Sequence, residues 1–116
     1  IPGIDVTSGS LGHGLGIAAG IALANRMDNI NANVFVVISE GELYEGSTWE
    51  ALLFLAHHKL DKIKIILDVN SNMILGRPED HVGLESIDKK MEAFNLETTR
   101  INGHNYEEIL QIAKMS

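Results

Sequence analysis

The sequence predicts an α/β domain, a doubly wound and mostly parallel sheet flanked by helices. Two apolar runs, residues 34–38 and 63–67, are rich in Val and Ile, and the first shows no polar alternation. That pattern marks strands covered on both faces. Helical patterns lie before, between and after them. The resulting order is helix, strand, helix, strand, loop, helix, strand, helix, which calls for crossovers between parallel strands.

Each element has its own signal. Residues 1–10 are small and turn-prone, and Gly9, Gly12, Gly14 and Gly16 follow closely. Leu11, Leu15, Ile17, Ala18, Ala19, Ile21, Ala22 and Ala24 give residues 11–27 a helical pattern, which Asp28-Asn29 ends. Its small residues suit close packing, inside the domain or at a dimer interface. After the first strand, Ser47 or Thr48 is placed to cap a helix running to about His58, with Trp49, Leu52, Leu53 and Ala56 inward. Ile87, Met91 and Phe94 form one stripe of a helix over 85–94. Residues 96–101 read as a third strand, polar enough for an edge, and residues 106–115 as a last helix. Trp49, Phe54, Phe94 and Tyr106 read as packing residues.

Composition narrows the function. A chain of 116 residues with 45% apolar content fits one folded unit. Both ends read as cut, so residues 1–116 are expected to be part of a larger domain. No long charge-free apolar run and no leader pattern is present, so neither a membrane span nor a signal peptide is expected. Cysteine is absent, which removes thiolate chemistry and fits a cytoplasmic protein. A net charge of −7 argues against nucleic acid as the main partner.

In open parallel sheets, ligands bind beyond the carboxyl ends of the strands. Glu40 lies there after the first strand, and Asp68 and Asn70 after the second. If the strands are neighbours, Glu40 and Asn70 approach each other. A carboxylate, an amide oxygen and a backbone carbonyl form the hard oxygen shell that Mg²⁺ prefers, completed by phosphate and water. Glycines at 9, 12, 14 and 16 let the backbone come close to a phosphorylated cofactor. They match neither a dinucleotide fingerprint nor a Walker loop, which needs Gly-Lys-Ser/Thr.

Four stretches in order resemble the N-terminal, diphosphate-binding domain of the transketolase family, and most of all its split, two-subunit type. They are DVTSGSLGHGLGIAAGIALA (5–24), SEGELYEGSTWEALLFLAHHKLDKI (39–63), ILDVNSNMILG (66–76) and LESIDKKMEAFNLETTRINGHNYEEI (84–109). The resemblance implies thiamine diphosphate and Mg²⁺ as cofactors. Glu40, Asn70 and the backbone carbonyl of Asn72 would be the metal ligands. Gly9, Leu11, Gly41, Asn70 and Ile74 would contact the cofactor. Glu45 and Glu50 would be acids of the subunit interface. His13 stands where relatives often carry Gln, and would line the site. No catalytic residue is expected in this chain. The resemblance implies a substrate histidine upstream of residue 1, and an activating glutamate on a pyrimidine-binding domain or second subunit in a dimer or higher assembly. The implied reaction moves a two-carbon ketol unit from a ketose to an aldose, with sugar phosphates as substrates.

The family's Gly-Asp is Ser39-Glu40 here, so the carboxylate is one methylene longer and a side chain stands beside it. Val69 replaces a polar residue of the second metal segment. These departures keep a second expectation open, a non-catalytic relative that has lost the cofactor. Another thiamine-diphosphate-dependent lyase or decarboxylase is the third. The remaining histidines carry less. His57 and His58 are adjacent and diverge on a helix, so they do not suit a shared metal. His81 is expected in solvent, and His104 in a structural turn. Paired acids such as Glu40 and Glu45 are also the raw material of glycoside hydrolysis, but no other residue supports it.

Overall fold

The computed structural model describes residues 2–70, 82–84 and 86–115. Its elements are α1 (Gly14–Met27), β1 (Val34–Ser39), a 3₁₀ turn (Glu40–Tyr44), α2 (Gly46–His57), β2 (Ile63–Asp68), α3 (Ile87–Ala93) and α4 (Tyr106–Lys114). β1 and β2 pair in parallel, from Val34 opposite Ile63 to Ser39 opposite Asp68. A parallel pair cannot be closed by a tight turn, and here α2 supplies the crossover.

α1 packs against both the sheet and α2. Alanine and leucine favour the helix, and Leu15, Ala18, Ala19 and Ala22 form its buried stripe. Val36 and Ile38 meet that stripe from β1, and Ala51, Leu52 and Leu55 complete the core from α2. Trp49 lies over Phe94 with ring centroids 5.8 Å apart, which joins α3 to the same core. Among the described residues no helix is long and apolar enough to cross a membrane.

Three helices stop in one way. After α1, Asn29 turns left-handed (φ 59°), and the N–H groups of Asn29 and Ile30 donate to the carbonyls of Arg26 and Asn25. Lys59 and Leu60 do the same for α2, and Asn95 and Leu96 for α3. This paired arrangement satisfies carbonyls that the helix leaves free. Asparagine tolerates the left-handed conformation, whereas lysine pays a steric cost there.

Several expectations need correction. Residues 96–101 form no strand. They make no ladder bond to β1 or β2, and side chains hold them instead: Arg100 pairs with Asp88 at 2.9 Å and Thr98 donates to Glu92 at 3.5 Å. Without a neighbouring edge, a polar segment has nothing to exchange backbone bonds with. Only one face of β1 is covered among the described residues. Side chains alternate along a strand, so Val36 and Ile38 are buried while Phe35 and Val37 stay 50% and 68% exposed. Leu53 is also exposed, because it lies about 100° round the helix from Leu52, off the buried stripe. Neither Ser47 nor Thr48 caps α2. Glu45 is the cap residue, and the two hydroxyls bond elsewhere. At α4, Asn105 does cap, accepting from the N–H groups of Glu107 (3.0 Å) and Glu108 (3.4 Å).

Replacing Lys59 with Gly removes the left-handed penalty at an exposed position. We expect a gain of about 0.5–1 kcal/mol in chemical denaturation. Asn105→Ala removes the α4 cap and should cost about 1 kcal/mol in the same assay.

Candidate functional site

The parallel register brings the carboxyl ends of β1 and β2 level, with Ser39 opposite Asp68. Glu40 therefore follows one strand where Val69 and Asn70 follow the other. The chain then turns tightly into the 3₁₀ segment, which draws Glu40 inward. Glu40 is 8% exposed, and its Oε2 is buried with no hydrogen-bond partner among the described residues. Such an oxygen costs free energy until a donor or cation meets it. Asn70 is exposed, and its amide nitrogen donates to Asp68 Oδ2 at 2.9 Å. Gly41 is half-buried, with Ser39 Oγ the nearest neighbour that an added Cβ would meet, at 3.7 Å.

The glycine loop sits beside this turn. Gly12 is buried at φ +78°, and a Cβ there would stand 2.4 Å from Ser47 Oγ and 2.7 Å from Glu45 Cβ. Only glycine fits. Both backbone groups of Gly12 are bonded. Its N–H donates to Glu42 Oε1 at 3.3 Å, and its carbonyl accepts from Ser47 Oγ at 2.9 Å. The second oxygen of Glu42 accepts from the Ser39 N–H at 3.0 Å. Thr48, 1% exposed, donates to the Glu42 carbonyl at 2.7 Å, and the Trp49 indole N–H donates to the Leu43 carbonyl at 2.8 Å. The 3₁₀ turn is thus tied both to α2 and to the glycine loop.

The other expected residues divide. Gly9 and Leu11 lie exposed on the glycine loop, and His13 Nδ1 folds back to 3.0 Å from the Leu11 carbonyl oxygen. Glu45 and Glu50 are exposed at the start of α2. Asn72, Ile74 and His81 lie outside the described residues. Tyr44 reaches across from the 3₁₀ turn and donates to the Val82 carbonyl at 2.8 Å. His57 is exposed and His58 half-buried, with rings edge to face at 4.9 Å. His104 is exposed in the turn before α4, where its N–H donates to Asn102 Oδ1 at 3.0 Å. No three His, Asp or Glu side chains converge on a metal position among the described residues. The expected ligand set holds one acid and is of a different kind. A cleft of about 310 Å³ lies at the opposite end of the strands, lined by residues such as Arg26, Asn29, Leu60 and Lys62. It is away from the carboxyl edge, and Asp61 faces it together with the cations Arg26 and Lys62.

Sequence patterning alone puts Glu42 in solvent and gives Gly12 only a share in a backbone approach to a cofactor, not a packing role. A signal for the first is nonetheless present. Ser39-x-x-Glu42 has the spacing at which an acid reaches back to the N–H that opens a helical turn.

Fold and edge together define a parallel α/β domain that sets a buried acid, an amide and a close-packed glycine loop at one strand edge. A family profile described as "Transketolase, thiamine diphosphate binding domain" matches residues 1–115. The chain belongs to the transketolase family, in that thiamine diphosphate binding domain. It is 38% identical over 109 residues to one subunit of the apulose-4-phosphate transketolase of Actinobacillus succinogenes, covering 94% of this chain and 40% of that protein. It is 37% identical over 114 residues to the 6-deoxy-6-sulfo-D-fructose transketolase subunit SqwG of a Clostridium species, covering 98% and 42%. Among solved structures it superposes on Campylobacter jejuni transketolase with a TM-score of 0.88 at 33% identity, covering 98% of this chain and 20% of that one. The chain thus spans about two-fifths of these two subunits and a fifth of that transketolase.

Two glycine substitutions should move stability in opposite directions. Gly12→Ala forces a left-handed alanine into occupied space and should cost about 2–4 kcal/mol. Gly16→Ala, inside α1 with nothing within 4 Å of the new Cβ, should gain up to about 1 kcal/mol. Chemical denaturation measures both.

Proposed function

We propose that this chain is part of a thiamine-diphosphate- and Mg²⁺-dependent transketolase of the two-subunit kind. Residues 1–116 would form part of the diphosphate-binding domain. The enzyme would pass a two-carbon ketol unit from a ketose to an aldose, acting on sugar phosphates in the cytoplasm. The observation that carries this reading is the buried, unpartnered Oε2 of Glu40 at the strand edge.

The residues fit the group they would hold. Glu40 and Asn70 offer hard oxygens, which suit Mg²⁺, and Asn72 would add its backbone carbonyl. Gly41 leaves backbone open toward a diphosphate. Gly9, Leu11 and Ile74 would contact the thiamine side, with His13 as polar lining. Bound thiamine diphosphate supplies the nucleophilic carbon of the reaction, and the protein anchors and orients it. Mg²⁺ held by these ligands would neutralise diphosphate charge and fix its place. Glu45 and Glu50, exposed at the head of α2, would face the partner subunit. That partner would bring the pyrimidine-binding domain and the activating glutamate. Two relatives named as transketolase subunits, which this chain matches over more than nine-tenths of its length, support the two-subunit reading.

Calorimetry on the chain assembled with its partner subunit tests this. Thiamine diphosphate should bind with Mg²⁺ and give no heat without it. At ligand concentrations of about 100 Kd, the unfolding free energy should rise by about 2.7 kcal/mol. Changes to groups that merely support metal ligands cost about 10–100-fold in affinity, so Glu40→Ala should cost more. Absence of magnesium-dependent binding would replace this reading with that of a non-catalytic relative. Glu40→Asp separates the cases further: tighter binding by the shorter acid would show that the native site has been weakened.

A further inference from the structure

Glu42 has no part in the reading above, yet it is the side chain that joins the two halves of the site. Its carboxylate is fully engaged by two backbone N–H groups from different segments. One oxygen accepts from Gly12 at 3.3 Å and the other from Ser39 at 3.0 Å. Gly12 follows Leu11, on the thiamine side. Ser39 precedes Glu40, on the metal side. The carboxylate therefore bridges positions one residue away from each half. Ser47 closes the same link from α2 by donating to the Gly12 carbonyl at 2.9 Å. Thr48 holds the Glu42 backbone from below at 2.7 Å. Gly12 admits no Cβ in this arrangement, so the loop is pressed against the acid's own segment as well as bonded to it.

We propose that Glu42 is a positioning residue for the cofactor: with Ser47 it clasps the glycine loop to the metal-side turn and so sets the distance between the thiamine and diphosphate halves of the site. This rests on the functional reading above. A carboxylate suits the task because it accepts on both oxygens. Glutamine keeps the shape but turns one acceptor into a donor, which faces an N–H and cannot bond it. Aspartate is one methylene shorter and cannot span the same pair from the same backbone.

The test uses the chain assembled with its partner subunit, thiamine diphosphate and Mg²⁺. Binding is measured by calorimetry, and backbone hydrogen exchange is followed at Gly12 and Ser39 in the cofactor-free protein. Glu42→Gln should weaken cofactor binding about 5- to 10-fold and speed exchange at Gly12 by a similar factor. Ser47→Ala leaves Glu42 intact and should give the same two effects in smaller measure, about 3-fold. The double variant should fall short of the product of the singles, because both arms hold one loop. Asn105→Ala, which weakens α4 away from the site, should lower stability without changing cofactor affinity. If Glu42→Gln and Ser47→Ala lower stability like Asn105→Ala and leave affinity unchanged, Glu42 is only a structural tie and the proposal is overturned. If the unaltered assembly does not bind thiamine diphosphate at all, the functional reading falls first and takes the positioning role with it. The two failures are distinct, because one appears only in the variants and the other in the unaltered protein.

Discussion

Parallel pairing of β1 with β2, in step from Val34–Ile63 to Ser39–Asp68, is the constraint on which the rest of this structure depends. It brings two chain reversals to one edge at the same height. An antiparallel pair would have sent them to opposite ends. Because the pair is parallel, α2 must carry the chain back, and its buried residues Ala51, Leu52 and Leu55 fix where the return path lies. α1 makes that path stable by touching both strand and helix. Its alanines permit the approach, since larger side chains would lift α2 away and carry Ser47 and Glu42 from Gly12. Site geometry is thus a consequence of core volume. The chemistry at the edge inherits its precision from small side chains several residues away.

Much of this was legible in the sequence because the signals are local or strongly periodic. Short apolar runs marked both strands, and spacing marked all four helices to within a few residues at each end. Asp28-Asn29 announced the end of α1, and Asn29 does take the left-handed conformation there. The strand-end position of Glu40 and Asn70 followed from element order alone. What escaped depends on partners distant in sequence. Residues 96–101 have strand-like composition, but a strand exists only where another edge receives its backbone bonds. Phe35 and Val37 are as apolar as Val36 and Ile38, so composition could not show that only the latter pair meets a helix among the described residues. Ser47 and Thr48 carry good capping side chains, yet Gly12 and Glu42 offer them better-placed acceptors.

Glu42 shows why charge is a poor guide to exposure near a helical turn. Three acids in six residues, Glu40, Glu42 and Glu45, look alike in sequence. In the fold, one is buried with an unmatched oxygen, one is matched on both oxygens and one is exposed at a helix cap. Backbone N–H groups make the difference. The 3₁₀ turn and the positive-φ glycine each leave N–H groups without a helical acceptor, and Glu42 is the acid within reach of two of them. Glu40 begins the same turn two residues earlier, and its Oε2 meets none among the described residues.

That contrast bears on the departure from the family pattern at Ser39-Glu40. A buried carboxylate oxygen with no donor costs a folded chain at least about 1–3 kcal/mol. Typical domains have a total stability of only about 5–15 kcal/mol, and small cores lie toward the low end. Such a group is tolerable when something outside the chain supplies the missing interaction. Neighbouring donors are already committed: the Ser39 and Gly12 N–H groups go to Glu42, the Thr48 hydroxyl to the Glu42 carbonyl, and the Trp49 indole to the Leu43 carbonyl. Those four donors are thus committed elsewhere, and among the described residues Glu40 Oε2 is left over. A cation meets that remainder where a neutral donor does not, because it offsets charge as well as satisfying a lone pair. On the proposed reading, the longer glutamate would be a ligand adapted to a turn held by Glu42, in which the backbone position is fixed and side-chain length is the variable left to reach the ion.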